Sequence, residues 1–265
     1  MPSKYPLDRL DQHPNLTPDV LRTAYKEMAL ARCHVERVVQ ECSKGNIKFA
    51  IWGPGEELHG AAQALAYHEV VNPEAFGMCG HYRSAGLLSM WARLRGYQDF
   101  HLDHMRQQMS RVTDPWSGGR QMTAHFNAID LNMLPVQSSL GMQLGKSVGY
   151  AHGLKQKGHD DGVVLAVIGD GTMAESDLHE GVTGASILQL PLLLAVTDNG
   201  VAISVKPEDG RGLKDLEAYA KAFDFEFFTC DGNDFLDVYE TTKAAATFCR
   251  DEQKPALMWV QNLSR

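Results

Sequence analysis

Two polar turns in the second half of the chain combine residue types that could bind a cation and a phosphate together. The apolar run VVLAVI (163–168) stops at Gly-Asp-Gly (169–171), and the apolar run PLLLAVT (191–197) stops at Asp-Asn-Gly (198–200). If both runs form neighbouring parallel strands, both turns lie at the carboxyl edge of one sheet, where α/β proteins bind ligands. The pattern therefore predicts one ligand site built from both turns.

The chemistry of the first turn indicates a phosphate held through a metal ion. Gly169 and Gly171 permit a tight turn and a close approach of the backbone to a ligand. A helix that begins after this turn would favour a phosphate at its amino end, but Asp170 alone would repel that phosphate. A divalent cation between the two removes the conflict, and Mg²⁺ commonly bridges protein oxygens to phosphates. We therefore expect Asp170 to be a metal ligand.

The second turn could supply the remaining protein ligands. Asn199 offers a side-chain carbonyl oxygen, and the irregular segment DNGVA (198–202) can present a backbone carbonyl. Either turn alone is weak evidence, because Gly, Asp and Asn are also common in ordinary turns. The pair is much more specific, since one helix and one strand join the two turns.

The apolar periodicity predicts the elements that must position these turns. We expect strands at 163–168, 191–197, 225–229 and 255–261, alternating with helices at about 173–188, 213–222 and 234–251. Earlier helices are expected at 17–44, at 53–71 after a Gly-Pro turn, at 86–96 and at 137–158, with a loop over the polar residues 97–120. This alternation predicts a doubly wound α/β fold with a mostly parallel sheet flanked by helices. We assign residues 1–50 to an N-terminal helical extension and 51–265 to the ligand-binding domain.

Composition narrows the class of protein. The chain has 265 residues and a net charge of −8, which argues against nucleic acid and anionic membranes as partners. No apolar run approaches the roughly 20 residues that a membrane span needs. Five scattered cysteines without a C-x-x-C pair argue against a disulfide framework or a zinc site. The first residues show neither a signal nor a transit peptide, so we expect a cytoplasmic protein.

Longer motifs show a resemblance to a known family. They are HYRSAG (81–86), GGRQMTAHF (118–126), GDGTMAESDLHEG (169–181), DNGVAIS (198–204) and DGNDFLDVYETTKAA (231–245). Together they resemble the alpha subunits of the thiamine diphosphate-dependent decarboxylating component of 2-oxo acid dehydrogenase complexes, from about residue 50 to the end. The sequences YRSAG and GRQM are closer to those of the branched-chain members than to those of the pyruvate members. The pyruvate members usually have His where this chain has Ala85.

The resemblance implies how the cofactor is bound. Asp170 and Asn199 would bind Mg²⁺ together with the backbone oxygen of Val201. Tyr82 and Arg83 match the pair of residues that contacts the diphosphate in this family. A guanidinium group suits that role, because it pairs with phosphate in a bidentate manner.

The resemblance also implies roles for residues around the two turns. Gly171 and Thr172 would offer backbone donors at the helix start, and Glu175 falls where the family has Glu or Gln. Leu134 aligns with the bulky residue that supports the bent conformation of the cofactor. His125 matches a histidine near the substrate carboxylate and would steer the 2-oxo acid or transfer protons.

Several of these side chains have an alternative, purely structural interpretation. Arg83 could form an ion pair at a helix end, and Glu175 could be a solvated carboxylate in a first helical turn. Leu134 could be an ordinary core residue. His125 could be a structural histidine whose hydrogen bonds are satisfied by the protein.

For function, the resemblance implies oxidative decarboxylation of a 2-oxo acid, with acyl transfer to lipoamide on the lipoyl domain of an acyltransferase. In this family a beta subunit supplies the glutamate that contacts the aminopyrimidine. We therefore expect this chain to be inactive alone and to act with a beta subunit, as two alpha and two beta chains. Relatives continue past Arg265 into a loop with a Gly-His-Ser or His-His motif, so we expect a fragment, a split or fused protein, or a degenerate member.

Two other functions remain open from the sequence. The amino-terminal half of a split transketolase would share the metal motif, although HYRS and GRQMTAHF argue against it. A non-catalytic scaffold subunit would keep the fold without the chemistry, and the intact Asp170, Asn199, Tyr82 and Arg83 argue against that. Nucleotide binding is poorly supported, because the chain has no Gly-x-Gly-x-x-Gly motif and no Walker lysine.

Overall fold

The computed structural model describes residues 7–72 and 74–263, and its centre is a sheet of five parallel strands. In the described residues these are β1 Phe76–Cys79, β2 Val163–Gly169, β3 Leu192–Thr197, β4 Glu226–Asp231 and β5 Ala256–Gln261. Their spatial order is β1-β2-β3-β5-β4, and every neighbouring pair is parallel. The predicted α/β class is confirmed.

Helices cover both faces of the sheet. They are α1 Pro18–Ser43, α2 Glu57–Val70, α3 Ala85–Leu94, α4 Phe100–Gln108, α5 Met142–Gln156, α6 Ser176–Leu188, α7 Pro207–Gly210, α8 Leu216–Ala222 and α9 Phe235–Glu252. Short 3-10 helices span Leu7–Gln12, Ile129–Leu131 and Asp170–Ala174. Helix α1 begins where the sequence predicts, because the Thr17 hydroxyl accepts a hydrogen bond from the Val20 amide at 3.3 Å.

The structure contains two elements that the sequence did not predict. Strand β1 was not predicted, since its four residues FGMC are too few to show a periodicity, but it pairs with the start of β2. The segment 97–120 was predicted to be a loop, yet it contains helix α4. The buried face of α4 is mainly polar, with Asp103, His104, Gln107 and Gln108, so the apolar signal of a helix is missing.

Two predicted helices begin later than expected. Helix α6 begins at Ser176 rather than near residue 173, because the 3-10 turn Asp170–Ala174 occupies the first residues after β2. Helix α5 begins at Met142 rather than at residue 137. Its start follows Gly141, whose positive φ of 89° breaks any continuous helix from residue 137. Both shifts lengthen the loops near the predicted ligand site.

Strand β2 explains the continuous apolar runs. Its residues Val163, Leu165 and Val167 belong to one apolar cluster, which also contains side chains of α2, α3 and α9. The alternate residues Val164, Ala166 and Ile168 belong to a second cluster with side chains of α5, α6 and α8. Because both faces of the strand are buried, every position along it is apolar.

The first long helix joins the same core. Ala24 of α1 lies in the apolar cluster that α2 and α3 share, and Arg32 forms a two-pronged ion pair with Glu57 at the start of α2. The Arg32 Nε–Glu57 Oε1 and Arg32 Nη2–Glu57 Oε2 distances are 2.7 and 2.9 Å. The division into 1–50 and 51–265 stays a prediction.

The structure also shows the state of the cysteines and the character of the helices. Cys33, Cys42, Cys79, Cys230 and Cys249 are free thiols in the structure. Over residues 7–72 and 74–263, none of the helices has the length and apolar character needed to cross a bilayer.

A histidine cluster is buried between α1 and α4. The ring of His34 stacks on that of His104, with centroids 4.4 Å apart and planes 12° apart, and His101 lies beside them, 3.4 Å from Glu27. Burial, assisted by His101, lowers the pKa of His34 to about 3. Burial also lowers the pKa of His104 well below its ordinary value. The cluster is therefore neutral in the folded protein near pH 7.

This cluster should make the fold acid-sensitive. The folded-state pKa of His34 lies below the unfolded value of 6.5, so its stabilising contribution is complete above pH 6.5 and is lost as pH falls towards 3. At pH 5 the loss from His34 alone is about 2 kcal/mol. Urea unfolding at pH 7 and pH 5 should show a smaller drop for His34→Gln than for the unaltered chain. His159→Gln, in a loop, is the control, and an equal drop in His34→Gln would contradict the expectation.

Candidate active site

The two polar turns lie side by side at the carboxyl edge of the sheet. In the β2–β3 register Gly169 is paired with Thr197, so Asp170 and Asp198 leave adjacent strands at the same level. This confirms that the turns meet at one edge. The 3-10 turn Asp170–Ala174 then leads into α6, and the segment after Asp198 leads to α7.

Arg83 reaches this edge from the loop between β1 and α3. A Cβ atom placed on Gly169 would lie 2.5 Å from Arg83 Nη2, and one placed on Gly53 would lie 2.4 Å from Arg83 Cδ. The arginine therefore occupies space that only glycine leaves open on either side. Arg83 Nη1 donates to the Tyr82 hydroxyl at 3.3 Å, and the guanidinium carbon is 5.4 Å from the Tyr82 ring centre. Arg83 therefore contacts both Tyr82 and Gly169.

Glu56, to which no sequence motif points, connects Arg83 with Asn199. Its Oε1 lies 2.6 Å from Arg83 Nε and accepts a hydrogen bond from Asn199 Nδ2 at 3.3 Å. Burial of the carboxylate would raise the pKa of Glu56, but its contact with His59 and the charge of Arg83 outweigh burial and lower the pKa to about 2. Glu56 is therefore a buried anion that contacts two predicted ligand-binding residues.

His81 ties the same loop to the two strands. Its Nδ1 accepts from the Arg83 amide at 3.0 Å, so the ring proton sits on Nε2, which donates to Thr197 Oγ1 at 3.1 Å. The Thr197 hydroxyl in turn donates to the Ile168 carbonyl at 3.2 Å. Burial, with the charge of Arg83, lowers the pKa of His81 to about 3 and keeps the ring neutral. This chain of bonds holds Arg83 over the ends of β2 and β3.

Asp170 is a buried carboxylate with an unused acceptor. The residue is 4% exposed, and its Oδ1 has no hydrogen-bond partner among the described residues. Burial raises the pKa of Asp170, and the nearby charge of Asp198 raises it further, whereas Arg83 and Arg211 act in the opposite direction. A cation at Oδ1 would relieve both unfavourable effects.

Asp198, by contrast, is fully engaged. Its Oδ1 accepts from the Gly200 amide at 2.9 Å, and its Oδ2 accepts from Trp259 Nε1 at 3.1 Å and from Arg211 Nη2 at 3.3 Å. These contacts anchor both ends of the segment between β3 and α8. Asp198 therefore has a structural role, and Asp170 is the carboxylate with an acceptor to offer a ligand.

A cavity of about 220 Å³ opens beside Asp170. Its lining includes Asp170, Gly171 and Glu175 on one side and Ala202, Lys206 and Arg211 on the other. The cavity is therefore formed by the 3-10 turn after β2 and by the segment after β3. Glu175 lies at its wall, and its role stays a prediction.

These donors and acceptors fit a cation together with a diphosphate. Asp170 Oδ1 suits a cation, and Arg83 Nη2, buried and without a hydrogen-bond partner in the described part of the chain, suits a phosphate oxygen. Asn199 Oδ1 accepts from the Val201 amide at 3.3 Å, and a side-chain carbonyl oxygen is a ligand type that Mg²⁺ accepts. Across the described residues there is no group of three or more His, Cys, Asp and Glu side chains that could hold a metal. A cation here would need amide, backbone and phosphate oxygens as well, a set that suits Mg²⁺.

Three other predicted residues lie in different surroundings. His125 is 4% exposed and its Nδ1 lies 2.7 Å from the Thr123 carbonyl, within its own loop. Leu134 packs against the apolar cluster of α5 and α6, and its amide donates to the Met78 carbonyl at 2.7 Å. Neither lines the cavity beside Asp170. Thr172 is buried within the 3-10 turn. The roles of these residues stay predictions.

Comparison with solved structures gives the class of fold. The chain superposes on the crystal structure of transketolase from Campylobacter jejuni with a TM-score of 0.65, over 92% of this chain and 38% of that one. The sequence identity is 19%, so the similarity concerns the fold alone.

Comparison of sequences gives the family. Residues 25–262 match the sequence profile of the dehydrogenase E1 component, and the chain belongs to this family. The mitochondrial alpha subunit of 2-oxoisovalerate dehydrogenase from Caenorhabditis elegans is 30% identical over 88% of this chain and 52% of its own length. Its mouse counterpart is 29% identical over 93% of this chain and 53% of its own length. The chain thus spans about half the length of these relatives.

Proposed function

We propose that this chain binds thiamine diphosphate through Mg²⁺ and serves as an alpha subunit in the oxidative decarboxylation of a 2-oxo acid, with acyl transfer to lipoamide. One observation carries this proposal. A buried guanidinium nitrogen of Arg83 lies against Gly169, and neither this nitrogen nor a buried carboxylate oxygen of the next residue, Asp170, has a hydrogen-bond partner among the described residues. A cation-bound diphosphate is a ligand that would satisfy both.

The proposal gives each side chain a physical task. Asp170 and Asn199, with the backbone oxygen of Val201, hold the cation, and Arg83 binds the diphosphate through its free Nη2. Tyr82, whose hydroxyl accepts from Arg83 Nη1, also contacts the diphosphate. When bound, thiamine diphosphate supplies the nucleophilic carbon and the electron sink that decarboxylation requires.

The remaining predicted residues complete the pocket in this proposal. Backbone amides of Gly171 and Thr172 donate to the diphosphate, and Leu134 supports the bent conformation of the cofactor. His125 steers the carboxylate of the 2-oxo acid. Support for these four roles comes from the motif resemblance.

The substrate and partners are proposed from the relatives. The two named relatives act, by their names, on 2-oxoisovalerate, so we propose a branched-chain 2-oxo acid as the substrate. A beta subunit would supply the pyrimidine-binding half in an assembly of two alpha and two beta chains, and a lipoyl domain would accept the acyl group. The relatives are mitochondrial, whereas the cytoplasmic location of this chain stays a prediction.

Calorimetric titration and turnover assays test the proposal. We expect thiamine diphosphate to bind in the presence of Mg²⁺ and not in its absence. With a beta subunit and lipoamide, 2-oxoisovalerate should be decarboxylated, and sugar phosphates should not react. Absence of binding even with a beta subunit would indicate a scaffold, and turnover of sugar phosphates would indicate a transketolase. Full turnover by the chain alone would refute the need for a beta subunit.

A further inference from the structure

We propose that Glu56 is a positioning residue that holds both the phosphate-binding arginine and the metal-binding asparagine through one carboxylate oxygen. This inference rests on the proposed function and adds to it a residue outside the motifs described above. Glu56 Oε1 lies 2.6 Å from Arg83 Nε and 3.3 Å from Asn199 Nδ2. The two contacts connect the loop before α3 with the turn after β3.

The contact with Asn199 determines which end of its amide is presented to a cation. A carboxylate only accepts hydrogen bonds, so Glu56 requires the NH₂ group of Asn199 to point towards it. The Val201 amide only donates, and it meets Asn199 Oδ1 at 3.3 Å. Both neighbours therefore demand the same orientation. That orientation directs the carbonyl oxygen, the one atom of the amide that can bind a cation, away from Glu56.

The contact with Arg83 leaves a particular nitrogen available. Glu56 Oε1 forms a close ion pair with Nε that does not have hydrogen-bond geometry, and the Tyr82 hydroxyl accepts from Nη1 at 3.3 Å. Nη2, which lies against Gly169, has no hydrogen-bond partner in the described residues. Because the guanidinium group is planar and rigid, fixing Nε and Nη1 also fixes the direction of Nη2.

Close packing of two helices gives Glu56 a rigid base. A Cβ atom on Gly60 would lie 2.5 Å from the Leu87 amide nitrogen, and one on Gly86 would lie 2.6 Å from the Glu57 carbonyl oxygen. Helices α2 and α3 therefore approach each other through their glycines, just after Glu56 and Arg83 in the chain. Glu56 itself is 4% exposed, so water does not compete for its contacts.

The variant Glu56→Gln tests this role, because glutamine has the same shape as glutamate but no charge. Its amide group can also donate hydrogen bonds, whereas the carboxylate only accepts them. We expect affinity for thiamine diphosphate, titrated with Mn²⁺ in place of Mg²⁺, to fall about 10- to 100-fold, as the loss of a charged hydrogen bond implies. The free Mn²⁺ signal in electron paramagnetic resonance reports the metal, and circular dichroism reports the fold. Glu41→Gln removes the buried charge of another glutamate, which lies near the end of α1 and is paired with Lys44, and should leave the affinities for Mn²⁺ and thiamine diphosphate unchanged.

A paired substitution separates positioning from general stabilisation. Asn199→Asp alone brings a carboxylate against that of Glu56 and removes the donor, so we expect weaker Mn²⁺ binding. In the double variant E56Q/N199D the glutamine amide can donate to the new carboxylate, and Mn²⁺ affinity should recover at least in part. A merely structural role of Glu56 would give additive losses in the double variant, and that result would overturn the proposal.

The outcomes distinguish this inference from the proposed function. If the unaltered chain, with a beta subunit added, binds neither Mn²⁺ nor thiamine diphosphate, the proposed function fails and this inference fails with it. If the unaltered chain binds both and Glu56→Gln binds equally well, only the role of Glu56 is refuted. Should Glu56→Gln not fold, E56Q/R83Q removes both buried charges, and its Mn²⁺ affinity is compared with that of Arg83→Gln. A weaker affinity supports the role of Glu56, and an equal affinity refutes it.

Discussion

Replacing Asp170 with asparagine is expected to abolish metal-dependent binding of thiamine diphosphate while making the empty protein more stable. The substitution removes the one carboxylate proposed for the cation, so affinity should fall by at least roughly 100-fold, since even residues that only support metal ligands contribute 10- to 100-fold. Burial and the charge of Asp198 both raise the pKa of Asp170, so its ionised form is unfavourable without a cation. Removing the charge should raise the free energy of unfolding by about 0.5–2 kcal/mol.

Calorimetry and urea unfolding measure these two opposite changes. The matched control is Asp103→Asn on α4, because Asp103 is also buried but is paired with Arg106 and Tyr97. That variant should lose stability and keep cofactor affinity. Unchanged affinity in Asp170→Asn would remove Asp170 from the site, and a loss of stability would show that its carboxylate is satisfied by the protein itself.

Replacing Arg83 with glutamine should weaken both binding and folding. The free Nη2 and its charge are lost, so affinity for the diphosphate should fall by roughly 100-fold, corresponding to about 3 kcal/mol for charged hydrogen bonds. The same change leaves the Glu56 carboxylate buried without its guanidinium partner, which typically lowers the free energy of unfolding by about 3–5 kcal/mol. Calorimetric titration of thiamine diphosphate with Mg²⁺ measures the first effect, and urea unfolding measures the second.

Two further variants separate these effects of Arg83. Arg32→Gln breaks the neighbouring ion pair with Glu57 and should lower stability without changing cofactor affinity. Gly169→Ala keeps the charge of Arg83 but places a Cβ atom 2.5 Å from Nη2, so the guanidinium group must move. We expect Gly169→Ala to weaken cofactor binding. Normal affinity in both Arg83→Gln and Gly169→Ala would contradict a phosphate-binding role for Arg83.

The part of the site that lies directly after strands could be predicted from sequence. Asp170 and Asn199 follow long apolar runs, and neighbouring parallel strands bring their ends to one edge of the sheet. The fold class followed from the same runs. Strand β1 escaped prediction because it is only four residues long, and α4 because its buried face is polar.

The contacts that assemble the site could not be predicted from local patterns. Glu56 and Asn199 are 143 positions apart, and an acidic residue before a helix is already explained by its local position. His81 stands in the HYR motif, but its neutral state comes from burial and the charge of Arg83, and its hydrogen bond to Thr197 spans 116 positions. Only the folded chain shows that these residues belong to one network.

A crystal structure of the chain with Mg²⁺ and thiamine diphosphate, with a beta subunit if one is needed, tests the proposed metal site directly. We expect one Mg²⁺ ion bound by Asp170, by Asn199 Oδ1 and by the backbone oxygen of Val201, with Arg83 Nη2 on the diphosphate. A cation bound away from Asp170 and Asn199, or a diphosphate without contact to Arg83, would contradict this expectation.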